Sequence, residues 1–407
     1  MITTLYADKN GEIFDAPGCP AAGRLGETCL ALRPEDMIPL PEGAQMMFLP
    51  GRDALCMADG AARKLKGRLA VAAMLPVGYT RTLLPAYTNR PNAPQLPLYG
   101  YTAAALVNDE IYVAAHKTAD NTKWHPYRYN TPGLKKRVAQ VKRDLPNNRL
   151  VEHLANCSLV WHCCTAQNLF YRRWEAGIPV SPACNANCLG CISLQPSECC
   201  PAPQSRITFA PKPAEIAAIG LYHLTHAPDP IISFGQGCEG EPSLAAEAIA
   251  ESITSIRSKT ARGQININTN AGFTQGIKTI AAAGLNSMRV SIISALPATY
   301  QAYYQTQYSL DDVKSSIAYA KRQGVYVSLN MLLFPGLNDR REEQAAWLEF
   351  LAETGVDMIQ LRNLNFDPDA FLAAMPAGGQ PGGIRPFLQA ITDNLPAVKL
   401  GSFTETI

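Results

Sequence analysis

No run of apolar residues in the 407-residue chain is long enough to span a bilayer, although 47% of the chain is apolar, which argues against a helical membrane protein. An excess of charge of one sign is missing as well. The 36 basic and 34 acidic residues leave a formal net charge of +2, so no electrostatic footprint for nucleic acid stands out and no nucleic-acid partner is expected. The locally basic run Lys135-Lys136-Arg137 with Lys142 and Arg143 reads as a solvated helix face. The segment Met1 to Lys9 lacks the basic start and apolar stretch of a secretory signal, and the expectation is a cytoplasmic protein. Histidine is scarce, with six in all, and His153, His162, His223 and His226 show no paired metal spacing on a common face. Cysteine is the opposite case. Twelve cysteines in a reducing compartment point to metal or redox chemistry before disulfides.

At this length two domains are comfortable. Residues 1–150 read as a β-rich domain of unassigned role. Tyr6 to Phe14 forms a hairpin around Lys9-Asn10-Gly11, Tyr101 to His116 another around Asn108-Asp109, and Leu69 to Leu75 a buried strand between them. Prolines from Pro39 to Pro97 exclude long helices there. A helix over about Thr131 to Arg143 leads into a connecting segment, 151–177.

From residue 178 the pattern alternates strand and helix, the signature of a parallel sheet covered by helices. The expected strands are Ile178–Ala183, Ile231–Phe234, Ile265–Thr269, Met288–Ile293, Tyr326–Leu332 and Met358–Arg362. Gly263, Gly284, Gly324 and Gly355 close helices ahead of strands, and Ser309 with Asp312 caps another helix at its start. The fold class is α/β: a partial (β/α)6 barrel over 178–365, followed by a tail, 366–407, with a short helix. In such barrels chemistry sits on the loops leaving the C-terminal ends of the strands. An open doubly wound sheet is the alternative that the same alternation permits.

Directly after the first expected strand stands Cys184-Asn185-Ala186-Asn187-Cys188-Leu189-Gly190-Cys191, a C-x3-C-x2-C spacing. Three thiolates on one short loop can hold three corners of an iron–sulfur cubane and leave the fourth iron open to a small molecule. An electron-transfer cluster normally takes four cysteines, and a structural zinc closes its tetrahedron with a fourth cysteine or histidine. This loop after a first barrel strand resembles the hallmark of the radical S-adenosylmethionine (SAM) superfamily, over about residues 178 to 365. The resemblance implies that Cys184, Cys188 and Cys191 ligate a [4Fe-4S] cluster whose open iron binds the amino and carboxylate groups of SAM. It further implies reductive cleavage of SAM to a 5′-deoxyadenosyl radical that abstracts hydrogen from substrate.

Further resemblances follow in order. Cys238-Glu239-Gly240-Glu241-Pro242 is similar to the family's Gly-Gly-Glu-Pro loop, which holds the SAM amino group, with Glu239 where the first glycine usually stands. On this likeness Gly240, Glu241 and Pro242 belong to the cofactor site. Asn268-Thr269-Asn270 resembles the family's Thr-Asn-Gly segment, bringing in Asn268 and Asn270, while Ser291 is assigned to the ribose and Arg289 to the SAM carboxylate. Asn330, Gln360 and Arg362 are barrel-interior or rim residues by alternation. The position before the last cluster cysteine, usually aromatic in the family, is Gly190.

Six further cysteines, Cys157, Cys163, Cys164, Cys199, Cys200 and Cys238, repeat no compact ligand pattern, although an auxiliary cluster stays open among them. Zinc held by Cys184, Cys188, Cys191 and Cys199 is a competing use of the loop. Tyr300, Tyr303, Tyr304 and Tyr308 are read first as packing that caps the barrel. The expected partners are SAM, an external electron donor such as flavodoxin or ferredoxin, and a substrate for which a peptide or protein is preferred. The reading from another class is an iron–sulfur electron-transfer or scaffold protein without SAM chemistry.

Overall fold

The computed structural model describes residues 2–195, 202–404 and 406–407. Its N-terminal part is β-rich, as the hairpin signals predict. Ile2–Ala7 pairs antiparallel with Ile13–Pro20, and Thr102–Val107 with Glu110–Val113. The second hairpin turns on Asn108 and Asp109, both at positive φ, the backbone that tight hairpin turns demand. The lone strand expected at Leu69–Leu75 is the inner end of a far longer hairpin, Gln45–Ala58 with Ala61–Met74. Its register slips between Phe48 and Asp53, around Pro50 and Gly51, because proline cannot donate to a ladder and the strand bulges to pass it.

Three helices follow, where the sequence suggested one helix and a connector. Leu134–Asp144 is the expected helix; Arg149–Leu159 and Cys164–Tyr171 are additional. The Asn148 side chain caps the second by accepting from the amides of Leu150 and Val151.

The sheet that carries the site has seven parallel strands in strictly consecutive order. They are β1 (Glu175–Gly177), β2 (Ile231–Phe234), β3 (Gln264–Thr269), β4 (Ser287–Ile292), β5 (Tyr326–Leu333), β6 (Met358–Asn363) and β7 (Lys399–Gly401). A doubly wound sheet reverses its strand order at a switch point; this order never reverses, so the sheet is a partial barrel. Two expectations need correcting. The first strand ends at Gly177; the Ile178 amide still donates to the Ser233 carbonyl at 2.9 Å, and 179–183 run on beyond β2. The C-terminal tail holds two helices, Pro368–Ala374 and Ile384–Asn394, and supplies β7, which pairs with β6 through Met358 and Lys399.

Alternation along the strands divides two environments. Ile265, Ile267, Met288, Val290, Val327 and Leu329 are fully buried against the helices. The opposite face is polar and ties strand to strand. Asn266 Nδ2 donates to Ser233 Oγ at 3.1 Å, Ser287 Oγ to Asn266 Oδ1 at 2.9 Å, and Gln360 Nε2 to Ser328 Oγ at 3.3 Å. A barrel interior lined this way is built for a polar ligand, since such groups are buried only when paired. Among the described residues no helix is long and apolar enough to cross a membrane.

The N-terminal β-rich region braces one end of the barrel. Arg81, fully buried, donates from Nη2 to the Leu364 carbonyl at 2.6 Å, and its amide donates to Asn363 Oδ1 at 2.9 Å. Arg52 and Asp367 form a buried ion pair at 2.7 Å across the same junction.

Candidate active site

A cavity of about 410 Å³ opens at the C-terminal ends of the strands, where a barrel of this type carries its chemistry. Cys184, Cys188, Cys191, Gly240, Glu241, Asn268, Asn270, Arg289, Ser291, Asn330 and Arg362 all line it. Pro242 does not. It is buried at the start of a short 3-10 helix, Pro242–Ala245, and shapes the loop from behind.

The cluster loop is held from two sides. The amides of Asn187 and Leu189 donate to the carbonyls of Tyr304 and Tyr303 at 2.9 and 3.1 Å, and Asn270 Nδ2 donates to Asn185 Oδ1 at 2.7 Å. On the other side the loop after β2 pairs with it, as Gly240 N donates to Ser181 O at 2.7 Å and Glu241 N to Ala183 O at 2.8 Å. The approach is so close that a Cβ on Gly240 would lie 1.9 Å from the Ala183 oxygen. Glycine is required there by contact.

Glu239, where the resembling family usually has glycine, takes over the backbone amides of the chain just beyond its last bond to β2 at Ile178. One carboxylate oxygen accepts from the amides of Val180 (2.7 Å) and Ser181 (3.0 Å), the other from those of Gly235 (2.8 Å) and Gln236 (2.7 Å). Burial pushes this carboxyl up to about 8 while the four amides pull it down. Only the ionised form can accept all four bonds, so the loops are built around the carboxylate.

Glu241 is similarly engaged. Oε1 accepts from Thr269 Oγ1 at 2.5 Å and Ser243 N at 3.0 Å, and Oε2 from Asn270 N at 2.8 Å. It therefore locks the end of β3 to the β2 loop while still forming part of the cavity wall.

The two arginines differ in their commitments. Arg289 is ion-paired to Glu175 on β1 at 2.9 Å and also donates to Thr404 Oγ1. Arg362 meets only neutral acceptors, Asn330 Oδ1 at 3.1 Å and Gln360 Oε1 at 3.4 Å, and among the described residues forms no ion pair. Burial first, then repulsion from Arg289, brings its guanidinium down to about 10. Arg362 thus carries a cavity-lining charge without a counter-charge of its own.

Burial pushes the thiols of Cys184 and Cys188 upward, so neither would ionise readily unaided; bound iron supplies the positive charge that makes thiolates stable. Arg206 Nη2 stands 3.4 Å from Cys191 Sγ and Arg206 Nε donates to Ser193 Oγ at 3.1 Å. Arg206 and Asn365 are cavity residues that sequence reasoning missed, since both lie on irregular loops without a motif. A zinc ion with arms of about 2.3 Å needs its sulfurs about 3.8 Å apart. Among the described residues Cys184, Cys188 and Cys191 form no group within 4.8 Å of one another, a spread that suits a cluster better than one ion. Cys199 and Cys200 lie outside the described residues.

The tyrosines pack as expected. Tyr300, Tyr303 and Tyr304 are buried, with Tyr300 and Tyr304 rings 4.5 Å apart and Tyr303 meeting Tyr304 edge-on at 4.8 Å. Their placement also accounts for Gly190: a Cβ there would lie 2.9 Å from the Tyr303 hydroxyl. The phenol occupies the space beside the cluster loop that a side chain at 190 would need.

A parallel partial barrel with three cysteines and a ring of strand-end polar groups around one cavity defines the class: an α/β-barrel enzyme built for a metal-bearing cofactor. Residues 178–351, a little under half of the chain, match the model of the Radical SAM superfamily, a family whose cofactors are a [4Fe-4S] cluster and SAM. No curated protein matches the chain. Among solved structures it is similar to the radical SAM methyltransferase TsrM from Kitasatospora setae (14% identity, TM-score 0.37, covering 48% of this chain and 37% of that one). It is also similar to coproporphyrinogen III oxidase from Escherichia coli (16%, 0.33, 41% and 40%) and to SuiB from Streptococcus suis (10%, 0.40, 66% and 60%). The chain spans under half the length of the first two, and none of these likenesses bears on its substrate.

Proposed function

We propose that Cys184, Cys188 and Cys191 hold the [4Fe-4S] cluster and that SAM lies between it and the polar strand ends of the cavity, where its radical acts on a peptide or protein substrate. The observation that carries this reading is that the three sulfurs share one cavity wall with Gly240, Asn268, Ser291 and Arg362. A volume of about 410 Å³ also falls within the roughly 300–1,000 Å³ of small-molecule sites. When bound, cluster and cofactor supply reductive cleavage of SAM and a 5′-deoxyadenosyl radical that takes a hydrogen atom from substrate.

The chain's own residues bind, orient and exclude water. Arg362 offers the SAM carboxylate a guanidinium with no counter-ion, a role for which Arg289 is less free because Glu175 already holds it. Ser291 and Asn330, paired across β4 and β5 in register, offer hydroxyl and amide groups to the ribose. Glu241 sets the loop that meets the SAM amino group. The electron comes from an external donor such as flavodoxin or ferredoxin. The test is anaerobic reconstitution with iron and sulfide, then reduction in the presence of SAM. 5′-Deoxyadenosine is expected; its absence from protein with a verified cluster rules the reading out.

A further inference from the structure

Away from the cavity, a second set of soft donors converges behind the β2 loop. His153 and Cys157 sit four residues apart on the Arg149–Leu159 helix, which places them on one face. Cys238 comes from the loop after β2 and is buried, as is Cys157. The donor atoms of all three lie within 4.8 Å of one another, and Cys157 Sγ is 3.6 Å from His153 Nε2. Metal arms of about 2.3 Å to sulfur and 2.1 Å to nitrogen at a tetrahedral angle separate those atoms by about 3.6 Å. The sequence reading found no paired histidine spacing and so passed over this site; the pair is one histidine and one cysteine.

We propose that His153, Cys157 and Cys238 bind a zinc ion that staples the Arg149–Leu159 helix to the loop after β2. The Cys163 amide donates to the Cys157 carbonyl at 3.0 Å and so holds the turn beside the site, while its sulfur is outside the group of donors within 4.8 Å. Thiolate and imidazole donors favour zinc over magnesium or calcium, and three of them leave the fourth corner of the tetrahedron to a water molecule. Zinc takes Cys157 and Cys238 as thiolates and His153 through neutral Nε2, and any protons these groups carry pass to solvent on binding. The staple has a consequence for the cavity, because Cys238 adjoins Glu239 and Gly240. Fixing its sulfur fixes the segment that packs on the cluster loop.

The competing occupant of this geometry is a plain thiol–imidazole hydrogen bond. The test uses the full chain carrying Cys184→Ala, Cys188→Ala and Cys191→Ala, so that no cluster iron interferes. About one zinc per chain is expected by elemental analysis, falling to near zero on adding Cys157→Ser or Cys238→Ser. Cobalt(II) put in place of zinc should show thiolate charge-transfer and intense tetrahedral d–d bands, which weaken on Cys238→Ser. The cobalt spectrum decides the matter if the serine variants do not fold. Zinc well below stoichiometric, zinc indifferent to Cys157 and Cys238, iron and sulfide in its place, or a weak six-coordinate cobalt spectrum would each overturn the assignment.

Discussion

Arg289 on β4 donates to the Glu175 carboxylate on β1 at 2.9 Å, with both side chains at most 10% exposed. Ser233 Oγ donates to the same oxygen at 2.6 Å, so the pair sits in a network that satisfies much of its hydrogen-bonding capacity. Breaking such a pair strands the surviving charge and costs about 3–5 kcal/mol. Arg289→Gln is therefore expected to destabilise the fold by that order, and the double variant Glu175→Gln/Arg289→Gln by less than the sum of the singles. Denaturant unfolding measures both, and an unshifted midpoint for Arg289→Gln would remove the pair from any account of stability.

Arg362 should behave in the opposite way. Its partners are the neutral side chains of Asn330 and Gln360, so Arg362→Gln strands no carboxylate and should move the unfolding midpoint little. If its free charge meets the SAM carboxylate, the loss of a charge-assisted bond of about 1.5–3 kcal/mol weakens SAM binding roughly tenfold or more. Titration of the cluster-loaded variant with SAM decides, and unchanged affinity would put the carboxylate elsewhere.

The contrast between these arginines shows where the sequence was legible and where it stopped. Alternation along the strands picked out Asn330 and Arg362 as interior or rim residues, because a period of two is local and the barrel makes it global, while Arg289 and Ser291 came from the family resemblance; all four line the cavity. Which arginine has a counter-charge depends on Glu175, more than a hundred residues away in sequence, and no local pattern reports that. The same holds for the first strand. Ile178–Ala183 has strand composition, yet the neighbouring strand ends at Phe234, and a carboxylate 59 residues beyond Val180 takes the amides instead. The Gln45–Ala58 hairpin was missed because Pro50 and Gly51 signal a break where the structure makes a bulge.

Gly190 and Tyr303 compete for one space, which makes them a testable couple. A methyl at 190 would meet the Tyr303 hydroxyl at 2.9 Å, tighter than packing tolerates, and overpacking costs about 1–3 kcal/mol. Gly190→Ala should lower stability and cluster loading, and Tyr303→Phe should rescue part of the loss by removing the oxygen. A double-mutant cycle with no coupling between the two positions would show that the contact relaxes freely.

Acid sensitivity should trace to His223. Its Nε2 lies 3.1 Å from the Trp174 carbonyl and its Nδ1 is buried without a hydrogen-bond partner, so the neutral ring donating from Nε2 fits and a second proton does not. Burial brings its pKa down from 6.5 to about 4. The folded chain then binds the proton more weakly than the unfolded chain. The stability this group contributes is complete above pH 6.5 and is lost as pH falls toward 4, on the order of 3 kcal/mol. His223→Gln should flatten that window, and unfolding at pH 7.5 and 4.5 with an unchanged difference would assign the acid sensitivity to other groups.

Glu239 offers the sharpest test of how the cavity is held open. Four amide donors converge on its two oxygens, from Val180 and Ser181 on one side and Gly235 and Gln236 on the other. Glu239→Gln keeps the shape but turns an amide NH2 toward two of those donors, so about two buried bonds are lost at about 1–3 kcal/mol each. Glu239→Gly, the residue usual in the resembling family, leaves all four donors without this acceptor and should be worse. Because the same carboxylate ties the segment leading to Cys184 to the segment leading to Gly240, both variants should also lose bound iron in proportion to stability. Glu239→Gly with wild-type unfolding and full iron content would mean that water or a backbone shift satisfies those amides, and that the carboxylate does not organise the two loops.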